Sequence, residues 1–217
     1  MANVHCTFAN TLTGLSPIGE NLVDIRQHIL GFSPLANVQL AKAFVPEENV
    51  IGDAGSGLRT ALASLALGRM GIGAVGVALA QRAFDVSADY ISRRTVFGKP
   101  IGGFQHWQFR FAEHALDIEM ARSLYQKAGQ IADHGGDTSV LAAMAKIKGS
   151  ALAVDVARDA IQACGGYGFA RQIMGSGETW PLEALYRDAK IGEIYEGANE
   201  VQKWIVARRI FGREITG

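Results

Sequence analysis

From residue 55 onward, apolar side chains recur at three- and four-residue steps, the period of a helix with one face turned to a core. The stripe is clearest in Leu58, Leu62, Leu65, Arg69, Ile72, Val75, Leu79 and Val86, which predicts a long first helix with these side chains inward. A second helix is expected over 104–134, closed by Gly135-Gly136. A third is expected over 138–164, closed by Gly165-Gly166, with Asp137 or Thr138 as its N-cap. After a Gly-containing loop, a short helix over 182–194 and a last one over 199–211 complete the pattern. Three long and two short helices on short connections predict a mainly all-α, antiparallel helical bundle. Residues 1–54 show no such period. Pro17, Pro34 and Pro46 interrupt them, and Val38, Leu40 and Phe44 alternate loosely, as in a half-buried strand over 38–44. The turn cluster Gly52-Asp-Ala-Gly-Ser-Gly57 sets the expected boundary between a small β remnant at 1–54 and the bundle at 55–217.

Composition narrows the function classes. With 217 residues, 48% hydrophobic and 19% charged, the chain is large enough for one core and lacks the signature of disorder. Twenty-one basic and 21 acidic residues cancel, which predicts no nucleic-acid or anionic-membrane footprint. Cys6 and Cys164 form no CxxC pair, and the five histidines form no HxxxH or HExxH pair, so no metal site is expected. The amino terminus shows no secretory pattern, which with the cysteine usage points to a reducing, cytoplasmic setting. Residues 61–80 are almost wholly apolar, yet Arg69 near their centre would cost about 2.5–3.5 kcal/mol in a bilayer. A buried soluble helix is expected there, with no membrane span. The 26 glycines, many inside apolar helical stretches, suggest close helix packing or backbone brought near a ligand.

Four motifs stand out. Gly71-Ile-Gly73-Ala-Val-Gly76 fits GxGxxG but continues a helical stripe instead of following a strand, so helix packing accounts for it better than dinucleotide binding. Arg69, on the apolar stripe, must find an anion, a carbonyl or a ligand; a structural ion pair is the alternative. Gly165-Gly166-Tyr167-Gly168 carries more glycine than a helix cap requires, with Gln162 beside it. Glu196 precedes Gly197 where a new helix starts, either as a first-turn acid or as a general base on a short linker.

Together these residues resemble the acyl-CoA dehydrogenase family. Gly68-Arg69, Arg94-Thr-Val-Phe97-Gly98-Lys-Pro-Ile with Gln105, Ala145-Lys146, Gln162-Ala-Cys-Gly165-Gly166-Tyr-Gly-Phe, Tyr186-Arg187-Asp188-Ala-Lys and Ile194-Tyr-Glu-Gly197 occur in the family's order, over roughly 33–211. The resemblance implies that FAD takes a hydride from the β-carbon of an acyl-CoA while a glutamate takes the α-proton. A trans-2-enoyl-CoA results, and electrons pass to an electron-transfer flavoprotein. An α-proton of a thioester is weakly acidic, so the base must be desolvated and the developing enolate stabilised by hydrogen bonds. The family uses the glutamate's own N–H and a ribityl hydroxyl for the latter. Glu196 matches that base. Some members carry it instead just before the arginine on the first long helix, where this chain has Gly68. Arg94, Phe97 and Gln105 are implied to reach FAD, largely across a dimer interface; Gln162, Gly165 and Gly166 to lie along its ADP part; and Arg69, Tyr195 and Gly197 to meet the substrate.

The departures also count. Ala66 stands where many members have an aspartate, Ala198 stands where threonine is common, and 170–180 is several residues longer than usual. The family's N-terminal helical domain and most of its β-domain have no counterpart, and a sheet remnant with open edges needs cover from another chain. The resemblance implies a homodimer or homotetramer, and the missing domains a partner chain that carries them. The rival reading is a truncated or non-catalytic subunit that dimerises or completes such a partner. An oxygen-using flavoenzyme of the same fold is disfavoured by the retained Tyr-Glu-Gly.

Overall fold

The computed structural model describes residues 26–29, 36–39, 46–53, 55–173, 176–177 and 179–217. The chain forms two compact units that divide at Ala61 and Leu62. In the first, β1 (Arg26–Ile29) pairs antiparallel with β2 (Ala36–Gln39), Arg26 opposite Gln39 and Ile29 opposite Ala36. The strand expected over 38–44 thus starts earlier. Its remainder lies outside the described residues, as do Cys6, Pro17 and Pro34.

The second unit is helical. It is built on α1 (Gly57–Arg93), α2 (Gln105–Asp133), α3 (Ser139–Cys164), the single turn α4 (Gly166–Phe169), α5 (Leu182–Ile191), α6 (Asn199–Phe211) and the terminal turn α7 (Arg213–Thr216). Between α1 and α2 the chain makes a two-residue hairpin of β3 (Thr95–Val96) and β4 (Lys99–Pro100). Its turn residues, Phe97 and Gly98, both have positive φ, 48° and 81°, the backbone that matches strand twist in such turns. The 95–100 segment lacks the alternation that announces a strand.

Cross-helix pairs fix the directions. Arg110 and His114 of α2 both meet Asp159 of α3, while Asp117 meets Lys148 at 2.7 Å, so α2 and α3 run antiparallel. Burial pulls the His114 imidazole below its usual range, opposed by the hydrogen bond to Asp159. Gly73 of α1 lies against Ala145 of α3 and Gly76 against Gly149, so α1 and α3 run parallel. The core gathers Val77, Ala80 and Ala83 of α1, Ile118 and Ala121 of α2, Leu152, Val156 and Ala160 of α3, and Leu182 of α5.

Three expectations are corrected. The inward face of α1 is not the stripe of large residues: Leu58, Leu62 and Val75 are exposed, while Gly73, Gly76, Val77, Ala80, Ala83, Ser87 and Ile91 are buried. Small residues win this face because they let the α1 and α3 backbones touch. The helix expected to be buried over 61–80 is for the most part not buried in this chain: α1 is long and apolar enough by composition to cross a membrane, and only 18% of its most apolar window is buried. The helix expected over 182–194 ends at Ile191, where the chain turns at Gly192 and runs as a loop to Ala198. Of the two residues expected to cap α3, Asp137 supplies the bond, its Oδ1 accepting the Ser139 N–H at 2.9 Å, while Thr138 holds the N-cap position without a side-chain capping bond. That hydrogen bond holds the Asp137 carboxyl below its usual range.

The GxGxxG segment is a helix crossing. A Cβ at Gly73 would sit 2.8 Å from the Ala145 carbonyl oxygen, and one at Gly76 or Gly149 would overlap the other helix's backbone. A Cβ at Gly71 would meet nothing. Gly76→Ala and Gly149→Ala are therefore expected to force the helices apart and destabilise the protein by about 1–3 kcal/mol in urea unfolding. Gly71→Ala should stabilise it, by up to about 1 kcal/mol, through helix propensity alone. Equal effects at Gly71 and Gly76 would refute the crossing as the reason for the motif.

Candidate functional site

The loop between α5 and α6 carries Tyr195, Glu196 and Gly197. Glu196 is not a first-turn acid: α6 begins at Asn199, and Glu200 fills that role. Glu196 and Gly197 have successive positive φ values of 54° and 87°. For a glutamate this backbone is unfavourable and persists only where the surroundings impose it. The surroundings do so through main-chain oxygens. The buried Gln202 donates from Nε2 to the oxygens of Gly197 (3.1 Å) and Glu196 (3.4 Å), and Arg69 donates from Nε to the Glu196 oxygen at 3.4 Å. A side chain at position 197 would collide with Gln202, 2.5 Å from its Nε2.

The Glu196 side chain points at α1. Its Oε2 is buried without a hydrogen-bond partner and lies 2.8 Å from where a Cβ on Gly68 would be. Gly68 therefore makes the room that the carboxylate occupies. Arg69, next along α1, is half-buried; burial pulls its guanidinium below the usual range, opposed by the charge of Glu196. Among the described residues its hydrogen bond goes to a main-chain oxygen, the carbonyl named among its expected partners, and the alternative of a structural ion pair is not what forms. Burial pushes the Tyr195 hydroxyl up, and the Glu196 charge adds to it.

Beneath the loop lies a polar cluster that sequence reasoning missed. Lys146 of α3 is 0% exposed, and its Nζ donates to the Glu193 oxygen (3.0 Å) and to Asn199 Oδ1 (2.8 Å). Asn199 Nδ2 donates to Ser150 Oγ at 3.0 Å, which fixes its amide orientation. Desolvation pulls the Lys146 ammonium down to about 8, against the raising effect of Glu193 and Glu200. The available signal was a lysine inside the run of small buried residues Ala142, Ala143, Ala145, Gly149 and Ala153. At those spacings its Nζ could only be inward.

The remaining predicted residues gather at the other end of α1. Ile101 N–H donates to the Arg94 oxygen at 2.9 Å, folding the start of α2 onto the end of α1. Tyr90, one turn before Arg94, meets Tyr167 in a tilted contact at 5.9 Å and Trp180 edge-to-face at 5.3 Å between ring centres, drawing in the Gly165-Gly166 segment and the long 170–180 loop. Arg94, Gln105, Gln162, Gly165 and Gly166 are exposed, and Phe97 is 97% exposed. A Cβ at Gly165 or Gly166 would meet nothing in this chain. Exposed amide and guanidinium donors beside bare backbone fit a diphosphate-bearing cofactor pressed on this end from outside. Gly68 and Arg93 are separated by about 38 Å along α1, more than one dinucleotide spans. The two residue groups therefore do not form one site within a single chain. Among the described residues, no three His, Cys, Asp or Glu gather as metal ligands.

Comparison with known proteins gives one consistent family. The family described as "Acyl-CoA dehydrogenase, C-terminal domain" matches residues 55–211. An acyl-CoA dehydrogenase of Bacillus subtilis strain 168 is 34% identical over 97% of this chain and 57% of its own length. The structure of butyryl-CoA dehydrogenase from Megasphaera elsdenii aligns with a TM-score of 0.75 at 35% identity, covering 81% of this chain and 44% of the other. That of PigA with FAD and proline aligns at 0.74 and 28% identity, covering 83% and 46%. The chain thus spans about half the length of these relatives.

The buried lysine makes stability depend on pH with a definite sign. Its folded value, about 8, lies below the unfolded 10.5, so between these pH values the unfolded chain binds more protons. Stability contributed by this group therefore rises with pH across that window. The melting temperature of the wild type is expected to carry an increment between pH 8 and pH 10 that Lys146→Met lacks. Parallel profiles for the two proteins would show that the ammonium is not desolvated.

Proposed function

The chain belongs to the acyl-CoA dehydrogenase family, and from that premise we propose that it serves, in a flavin-loaded assembly, the α,β-dehydrogenation of an acyl-CoA to a trans-2-enoyl-CoA, with Glu196 as α-proton base. The observation that carries this reading is Glu196 Oε2, buried, without a donor and facing the gap at Gly68. A carboxylate oxygen that no donor occupies keeps its lone pairs for a proton on carbon. Two further features support it. The Glu196 N–H donates to no backbone carbonyl among the described residues, which leaves it for a thioester oxygen as charge develops there. Arg69 and Gln202 hold the Glu196 carbonyl, which fixes the 196–197 peptide, the neighbour of the one that presents this N–H.

The chemistry that FAD supplies when bound is acceptance of the β-hydride, with an electron-transfer flavoprotein as onward acceptor. Arg94, Phe97, Gln105, Gln162, Gly165 and Gly166 are the residues of this chain that would hold it. Their distance from Glu196 favours a homodimer or homotetramer in which these residues serve a neighbour's flavin, or a partner chain carrying the other domains. Exposed Leu62, Leu67, Phe97, Phe109 and Leu116 support cover by another chain. A reducing, cytoplasmic setting belongs to the same reading. The non-catalytic alternative draws on Ala198, which leaves α6 without a side-chain cap, and on Ala66.

In a flavin-loaded assembly Glu196→Gln is expected to keep its visible flavin spectrum and lose acyl-CoA turnover by about 10²–10⁴-fold. Undiminished turnover would refute Glu196 as base. Gly68→Ala should push the carboxylate out of its gap and lower kcat, with little change in melting temperature. A flavin-loaded wild type inert toward short-, medium- and branched-chain acyl-CoA would favour the non-catalytic subunit.

A further inference from the structure

The 193–199 loop is closed on itself at its base. The Glu193 oxygen accepts both the Asn199 N–H, at 2.9 Å, and Lys146 Nζ, at 3.0 Å, while the same Nζ reaches Asn199 Oδ1 at 2.8 Å. One fully buried amine thus grips both ends of a seven-residue loop whose central residues, 196 and 197, hold left-handed backbone. Lys146 does not touch the Glu196 side chain in any described contact, and among the described residues it pairs with no carboxylate. Its burial is therefore not explained by an ion pair. A buried lysine is costly unless its hydrogen bonds are made well. Ser150 completes the clamp: its hydroxyl donates to the Lys146 oxygen at 2.7 Å and accepts from Asn199 Nδ2, so the amide can present only its oxygen to the amine.

From this geometry we infer that Lys146 is a positioning residue: by tying Glu193 to Asn199 from the core of α3, it holds the apex of the loop in the one conformation that aims Glu196 at Gly68. The inference rests on the reading of Glu196 as base, but the clamp itself is testable without turnover. Hydrogen exchange of the chain should show the amides of Asn199 and Gln202, bonded to the Glu193 and Ala198 oxygens, exchanging about tenfold or more faster in Lys146→Met, while the middles of α2 and α3 keep their protection. Should Lys146→Met fail to fold, Asn199→Leu removes one side of the clamp and should loosen the same amides. Asn199→Asp, which keeps an oxygen for the amine, should restore most of their protection. In the flavin-loaded assembly the loosened variants are expected to lose kcat by about 10²-fold with KM for acyl-CoA nearly unchanged. Loop exchange and kcat within about twofold of wild type in Lys146→Met, or in Asn199→Leu where only that variant folds, would overturn the inference. The base assignment stands or falls separately, on Glu196→Gln.

Discussion

The crossing of α1 on α3 is the contact on which the rest depends. Gly73, Gly76 and Gly149 bring the two backbones together where any side chain would hold them apart, and this fixes the register of one helix against the other. Ala145, the α3 residue that meets Gly73, is the neighbour of Lys146. On α1, Gly68 and Arg69 lie about one turn before the crossing, and on α3 Lys146 lies at it. The loop held by Lys146 is thereby set down opposite Gly68. A candidate catalytic carboxylate, the gap it occupies and the amine under its loop are thus placed by one glycine contact. The register is stiff because close-packed backbones leave no room for adjustment.

That contact also explains the unusual surface. A helix normally buries its large apolar residues and leaves small ones where packing is indifferent. Here the small residues of α1 take the inside, and Leu62, Leu67 and Val75 are left outward. The same holds near the hairpin, where Phe97 projects from a left-handed backbone position that a phenylalanine rarely adopts. Local strain and exposure at one residue are both unfavourable within this chain, and another surface against the ring would remove the second of them.

The sequence made the bundle legible where helix ends are written in caps and glycines. The bounds of α2, α3 and α6 differ from expectation by a residue or not at all, because Gly135, Gly165 and Ala198-Asn199 punctuate them. It misled at α1, since counting large residues finds a stripe but cannot weigh it against backbone contact. The site was legible in part. Tyr-Glu-Gly and Gly68-Arg69 pointed to residues that do come together, although 127 positions separate Arg69 from Glu196. The grip of Lys146, Asn199 and Gln202 was not legible, because Lys146 and Gln202 bond to main-chain oxygens of a loop whose shape no local pattern encodes, and Asn199 bonds to Lys146 across 53 positions. The small hairpin after α1 was hidden for a related reason: two-residue strands carry no period.

The 37 residues of α1 give the chain two working ends. One faces inward: Gly68 and Arg69 meet a loop that folds back to them from the far end of the sequence. The other faces outward: Arg94 and the residues around it lie exposed beside bare glycine backbone. A dinucleotide lying along the second end does not reach the first. If the exposed end grips a flavin and Glu196 works beside one, they are different flavins, and catalysis in one chain's site requires its neighbour. Oligomerisation is then part of the active site's construction, and a long, rigid, glycine-crossed helix is the element that keeps the two ends at a constant separation.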